Sequence, residues 1–244
     1  MDNERKTGIL RLAELFGRDF KAFFGAGFLA LLGCGPFLLG FAVARASHSL
    51  LLAPLAGLLG GAIAGPELCA LADAILRPLR DEPGFWWHTY KRVWRRNAKA
   101  SLLPGALTGL LLGSQLFLLF HTGAMGLTPW MGAVLGAGIL IVTGLSLYLW
   151  PQLALMDLTL PQLVRNAALL FLGQLPRSVA ALALVTVYWG VVLLCFRLVA
   201  FLLLFTNFWL VSVPALFLIY PGLEKNFHIE EQIRAIQYPH KSKT

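Results

Sequence analysis

Residues 23–43 read FFGAGFLALLGCGPFLLGFAV, an apolar run of 21 residues without a charged side chain. A helix of about 20 such residues crosses the hydrocarbon core of a bilayer. A cleaved signal peptide has an apolar region of only about 7–15 residues behind a short basic leader. The leader of this chain is longer and also contains acids, namely Asp2, Glu4, Glu14 and Asp19. The run therefore predicts a retained transmembrane helix.

The composition of the whole chain agrees with this prediction. Of its 244 residues, 58% are hydrophobic and only 13% are charged. Ordinary globular proteins are about half apolar and about a quarter charged. Because so few charges cannot cover the surface of a soluble domain of this length, the composition excludes a soluble protein and predicts an integral membrane protein.

Apolar stretches of similar length recur along the chain and predict an all-α, polytopic transmembrane bundle of six spans. The spans are expected at about 23–43, 50–72, 101–121, 128–151, 178–199 and 203–220, between a basic leader, 1–22, and a tail, 221–244. The last two spans share one run of 43 residues, 178–220, whose single charge is Arg197. That run is too long for one crossing, so a tight turn is predicted within 197–207.

The distribution of positive charge predicts the orientation. Eighteen of the 20 lysines and arginines lie in the leader, in the tail or in the segments after spans two and four, and only Arg45 and Arg197 lie on the other side. Cytoplasmic segments of membrane proteins carry this excess of Lys and Arg. We therefore predict a protein of the cell membrane with both termini in the cytoplasm. The net charge of +8 follows from this bias and does not indicate a nucleic-acid partner.

The segment Gly84–Asn97, GFWWHTYKRVWRRN, has two different faces when drawn as a helix. One face is aromatic, with Trp86, Trp87, Tyr90 and Trp94, and the other is basic, with Lys91, Arg92, Arg95 and Arg96. This pattern is typical of a helix that lies in the membrane interface against anionic lipids of the inner leaflet. The helix could only anchor the topology, or it could dock a membrane or cytoplasmic protein partner. A weaker version of the pattern covers 158–170.

Small residues repeat every four positions in three consecutive spans. The repeats are Gly57, Gly61 and Gly65 in span two, Gly105, Gly109 and Gly113 in span three, and Gly132 and Gly136 in span four. Such stripes allow the backbones of membrane helices to approach closely. They predict a tightly packed bundle centre, and a glycine-lined pore is the alternative.

Two acids, Glu67 and Asp73, lie at the end of span two or just after it, and spans three to six contain none. An acid inside a membrane is a candidate site for an ion or a substrate. A structural explanation stays open, because Pro66 is suited to start a new helix and Asp73 can pair with Arg77 four residues later.

Motifs for catalysis or for cofactor binding are missing from the sequence. It contains no HExxH, no P-loop and no GxSxG, and the spacing of Gly25, Gly27 and Ala30 fits a dinucleotide motif only inside a membrane span. We predict that the protein is not an enzyme and that it has no catalytic, cofactor-binding or metal-binding residues.

The order of short motifs resembles the YesL-like family of bacterial membrane proteins, whose function is uncharacterised. The resemblance rests on 80–85 (RDEPGF), on Tyr90-Lys91 and Arg96-Asn97 before span three, and on 165–167 (RNA) before Pro176-Arg177. It covers nearly the whole chain after residue 20. It implies a multi-span protein with an accessory role in sugar uptake or its regulation, and it brings no catalytic residues.

Two functional hypotheses follow. In the first, the chain is a non-catalytic accessory or scaffold protein that docks a partner through Gly84–Asn97. In the second, it is a small transporter or channel that uses the seam of spans two to four.

Overall fold

The computed structural model describes residues 8–82 and 84–231, apart from the side chains at 196, 197, 199 and 200. Residues 1–7 of the predicted leader, residues 232–244 of the predicted tail and the side chain of Arg197 thus lie outside the described part. Within that part the chain forms eight α-helices and no strand. They are α1 (Gly8–Ala46), α2 (Leu52–Leu79), α3 (Trp86–Phe120), α4 (Pro129–Leu155), α5 (Leu160–Gly173), α6 (Leu175–Leu194), α7 (Phe196–Thr206) and α8 (Trp209–Phe227).

Five of these helices, α1, α2, α3, α4 and α6, are long and apolar enough to cross a membrane. The prediction of an all-α polytopic bundle is confirmed, and the chain is a multi-span helical membrane protein. The sixth predicted span, 203–220, is divided between α7 and α8. Because α8 carries Glu224 and Lys225 in its last turn, it is not among the five, and the count of six spans stays a prediction.

The tight turn predicted between the last two spans is wrong, because the 11-residue helix α7 connects them. The chain enters α8 at Asn207, whose φ of 23° lies in the left-handed region. α8 then runs antiparallel to α6. The rings of Trp189 and Phe208 are 4.8 Å apart at one end of this pair, and at the other end Gly222 lies against the side chain of Gln174.

α2 is the central helix of the bundle, and it packs against α1, α3, α4 and α8. In its most apolar 18-residue stretch 56% is buried, against 17–33% in the other four candidate spans. α2 continues through Pro66 without a break, so the proposed new helix at that proline is not present. Membrane helices tolerate such a proline when neighbouring groups satisfy the backbone.

The backbones of α2 and α3 are in direct contact along the glycines of both helices. A Cβ atom on Gly61 would lie 2.8 Å from the Cα atom of Gly109, and Gly57 and Gly65 face α3 in the same way. From α3, Gly105 and Gly113 face the backbone of α2. Any side chain at the closest of these positions would push the two helices apart.

The glycines of α4 do not take part in this packing. A Cβ atom on Gly136 would meet nothing within 4 Å, and one on Gly132 would only touch a methyl group of Thr122 at 4.0 Å. The prediction that Gly132 and Gly136 pack against another helix of the bundle is therefore wrong. Spacing alone identifies a smooth helix face but does not identify what covers it.

The predicted interfacial helix, 84–97, and the predicted span 101–121 form one continuous helix, α3. Its 35 residues extend about 52 Å at 1.5 Å per residue, whereas a hydrocarbon core is about 30 Å thick. No glycine or proline occurs between Trp86 and Leu103 to interrupt the helix. The prediction of a separate helix in the interface is corrected: the amphipathic segment is an extension of the span.

α1, α2 and α3 all have one strongly charged end, which we call the charged end: residues 8–22, 67–79 and 86–100. The main hydrophobic core lies toward this end and includes Leu15, Ile75, Leu76, Tyr90 and Val93. A small cluster of Ala44, Ala53 and Phe117 packs the opposite end. Many large apolar side chains between these clusters are exposed, such as Leu39, Leu59, Leu103 and Ile141, as expected of surfaces that face lipid.

The α2–α3 contact can be tested with a matched pair of glycine variants. Gly61→Ala should lower the free energy of unfolding by on the order of 1–3 kcal/mol, because the new methyl group overpacks the contact. Gly136→Ala should be neutral or slightly stabilising, because alanine is the better helix former and the position is open. Thermal unfolding in one detergent measures both. Equal unfolding temperatures for the two variants would contradict the contact.

Candidate functional site

The aromatic side of the α3 extension is turned partly into the protein. The ring of Trp86 lies against Gly25 of α1, and Tyr90 is only 4% exposed. Trp87 and Trp94 remain accessible, and the Trp87 and Tyr90 rings are stacked with their centroids 6.4 Å apart. The prediction that this whole face contacts lipid headgroups is thus corrected for Trp86 and Tyr90, which hold α3 against α1 and α2.

Glu67 is the acceptor that fixes this arrangement. Its carboxylate accepts a hydrogen bond from the hydroxyl of Tyr90 and another, 2.9 Å long, from the indole nitrogen of Trp94. The side chain of Glu67 also packs on Gly33 of α1, where a Cβ atom would overlap it. This one carboxylate therefore connects α1, α2 and α3. A buried or half-buried carboxylate is costly unless it accepts hydrogen bonds from such donors.

Asp73 belongs to a separate group of charges. It accepts a 2.6 Å hydrogen bond from the Nε atom of Arg77 and is only 3% exposed. Since Glu67 and Asp73 are six residues apart on α2, they point about 120° away from each other. They bind different partners and do not form the single intramembrane polar site that their proximity in sequence suggested.

The charged residues around Asp73 lie in the last turns of α2 and in the turn that follows it. Glu82 accepts hydrogen bonds from both Arg77 and Arg80, each 2.9 Å long. A nitrogen of Arg80 lies 4.0 Å from Asp73, and its Nη1 atom is buried without a hydrogen-bond partner among the described residues. Removing one partner from ion pairs as buried as these is strongly destabilising, because it leaves an uncompensated buried charge.

Asp81 ties α1 to this group. It accepts hydrogen bonds from Arg11 at 2.6 Å and from Arg18 at 2.8 Å. Asp81 has a φ of 55°, in the left-handed region, at the turn between α2 and α3. These pairs cannot be predicted from a local sequence pattern, because their members are 63 and 70 residues apart.

The basic side of the α3 extension is different, because its basic residues have no ion-pair partner within the described ranges. His88, Lys91, Arg92, Arg95 and Lys99 are all exposed, and no ion pair joins them to any residue in the described ranges. We call these five residues the basic face. Spacings of three and four residues place them along one side of the helix.

Arg96 does not belong to the basic face, although the sequence predicted it as a docking residue. Its guanidinium donates a hydrogen bond to the carbonyl oxygen of Ala154, near the end of α4. This contact joins α3 to α4. Arg96 therefore has a structural role in the bundle.

No family model, curated protein or solved structure matches this chain. The resemblance to the YesL-like family thus stays a prediction, and a functional proposal has to be based on the geometry of the chain itself. Two clefts of the described part of the chain lie between α6 and α8. Neither lies at the seam of α2, α3 and α4.

The buried charges of α2 should contribute far more to stability than the exposed ones of α1. Asp73→Asn should lower the free energy of unfolding by about 3–5 kcal/mol, because Arg77 and Arg80 lose a buried counter-charge. Asp19→Asn removes the exposed pair with Arg18 and should change the free energy of unfolding by less than about 1 kcal/mol. Chemical unfolding in detergent gives both values. An Asp73→Asn protein as stable as Asp19→Asn would contradict the assignment.

Proposed function

We propose that this chain is a non-catalytic accessory or scaffold protein of the cell membrane that binds an acidic surface of a protein partner through the basic face. The proposal rests on one observation: some basic side chains at the charged end are paired with acids and others are not. Four arginines, Arg11, Arg18, Arg77 and Arg80, are paired with acids, whereas the five residues of the basic face have no such partner among residues 8–82 and 84–231. An exposed stripe of one sign attracts a surface of the opposite sign.

The length of α3 supports a protein partner over lipid alone. Lys99 is the last charge before the apolar part of α3, and His88 lies 11 residues, or about 16 Å, farther along the helix. The headgroup region adds only about 5–8 Å to each side of the hydrocarbon core. On a helix close to the membrane normal, Lys99 and Arg95 lie at headgroup depth, and Lys91 and His88 lie beyond it. Anionic lipid of the inner leaflet can therefore contact only Lys99 and Arg95.

The proposal also includes the side of the membrane on which the charged end lies and the cellular process that the protein serves. The charge bias of the sequence supports a cytoplasmic position for the charged end and for both termini. The resemblance to the YesL-like family supports a role linked to solute uptake, in particular of sugars.

The alternative of a small transporter or channel needs space along the seam of α2, α3 and α4. The backbone contacts between Gly61 and Gly109, and between Gly57 and Gly109, leave none between α2 and α3. Glu67 and Asp73 are held by donors of the chain itself. Both observations favour the accessory role.

A double variant of the basic face tests the proposal. Arg92→Gln with Arg95→Gln removes two exposed charges and keeps good helix formers, so we expect normal stability but loss of partner proteins that co-purify with the chain in mild detergent. Lys21→Gln with Arg165→Gln is the matched control, because it removes the same charge from exposed positions elsewhere. The control should retain the partners.

Two further arms separate the possible outcomes. Arg96→Gln should instead lower the thermal stability, because the hydrogen bond to Ala154 is lost. Binding of the double variant to vesicles with and without anionic lipid shows whether lipid is the main ligand of the basic face. Equal partner recovery from the double variant and its control would contradict docking through the basic face.

A further inference from the structure

A small cleft lies where α6 begins and α8 ends. It has a volume of about 220 Å³ and is lined by Gln174, Pro176, Arg177, Gly222 and Lys225. We call it the polar cleft. It is distinct from the basic face of α3.

The polar cleft is positively charged. Arg177 and Lys225 are exposed, and neither forms an ion pair within the described ranges. The nearest acids in sequence, Glu224 and Glu230, do not line the cleft. Glu224 accepts the backbone N–H of Glu230 at 3.1 Å, and Glu230 accepts the hydroxyl of Tyr220 at 2.9 Å.

The first turn of α6 adds to this field. The helix has 20 residues, begins at Leu175, and has no side-chain hydrogen bond that caps its N-terminus. The first N–H groups of a helix have no partner within the helix, and they carry the positive end of its dipole. Here Leu175 and Arg177 supply such groups, because Pro176 between them has no N–H. Phosphate and carboxylate groups bind at such positions.

Gln174 provides an independent indication of a ligand. The oxygen and the nitrogen of its side-chain amide are both buried and have no hydrogen-bond partner among the described residues. The amide rests on Gly222, where any Cβ atom would overlap it. Buried polar groups of native proteins are nearly always paired, so an unpaired amide in the wall of a cleft calls for a polar ligand.

A second cleft continues along the same two helices. It has a volume of about 540 Å³ and an almost wholly apolar lining of Ala183, Leu184, Val187, Tyr188, Leu210, Val211 and Pro214. We call it the apolar groove. On α6, Leu184 is seven residues from Arg177, and on α8, Pro214 is eleven residues from Lys225. Both intervals are close to whole numbers of turns, so the cleft and the groove share one face of the helix pair.

We propose that the α6–α8 pair binds an anionic phospholipid, with its phosphate in the polar cleft and an acyl chain in the apolar groove. The Arg177 guanidinium donates hydrogen bonds to phosphate oxygens, and Lys225 adds a second charge. The Gln174 amide gains a polar partner by turning from Gly222 toward the phosphate. The distance from Arg177 to Leu184 is about 10 Å along the helix axis, which the glycerol and first methylene groups of a lipid bridge. Neither the polar cleft nor the apolar groove alone identifies this ligand. The alignment of the two on one face of the α6–α8 pair does.

The test is the binding of phosphatidylglycerol to the full-length protein in detergent, followed by native mass spectrometry. Arg177→Gln with Lys225→Gln should weaken binding roughly tenfold or more, because two charge-assisted contacts are lost. Ala183→Trp should weaken it similarly by filling the groove from an exposed position. Lys21→Gln with Arg165→Gln removes the same charge from exposed positions elsewhere and should leave this binding unchanged. Thermal unfolding checks that every variant is folded.

Competition with inorganic phosphate distinguishes the source of the phosphate group. We expect millimolar phosphate to leave the lipid bound and phosphatidylcholine to bind more weakly than phosphatidylglycerol. Displacement by phosphate together with normal binding to Ala183→Trp would show a site for free phosphate and would overturn the lipid proposal. Unchanged lipid binding by the Arg177 and Lys225 variant would overturn it as well.

Discussion

The contact between the backbones of α2 and α3 at their glycines is the constraint on which the rest of the structure depends. Gly57 faces Gly109, Gly61 faces Gly105, and Gly65 faces Ser101, so the two helices are locked in one antiparallel register. Because that register continues toward the charged end, it brings Glu67 within reach of Tyr90 and Trp94. Side chains at the glycine positions would separate the helices and break these hydrogen bonds together.

The charged end contains cations with two different roles. Arg11, Arg18, Arg77 and Arg80 are paired with acids and join α1 to α2 and to the turn before α3. The residues of the basic face lack such partners in the part of the chain that the structure describes, and they remain exposed. The sequence does not distinguish the paired arginines from the residues of the basic face. Only their contacts show which charges are structural and which are available to a partner.

Much of the fold could be predicted because lipid imposes long apolar runs and the chain obeys that requirement. The helix predicted over 23–43 lies within α1, whereas α2 continues past the predicted end of span two near 72, to Leu79. The predicted break between a helix that ends at 97 and a span that begins at 101 is wrong, because the end of a charged stretch does not by itself end a helix. Without a glycine or proline there, α3 continues.

The details of the candidate site could not be predicted for physical reasons. An aromatic face opposite a basic face has the same sequence pattern whether the rings meet lipid or, like Tyr90, a neighbouring helix. A glycine stripe likewise does not show whether it is covered, as with Gly61, or open, as with Gly136. The pairs of Arg11 and Arg18 with Asp81 depend on long-range packing that no local pattern indicates.

The most direct test of the central claim is a distance along α3 in lipid nanodiscs, because the account requires one continuous helix from the apolar end to the basic face. Spin labels at His88 and Leu111, two exposed positions 23 residues apart, should be about 34 Å from each other on a continuous helix. Cys195, which is exposed, would be replaced by serine to keep the labelling specific. A distance of about 24 Å, as expected if the helix bends at Lys99 to lie in the membrane plane, would contradict the account.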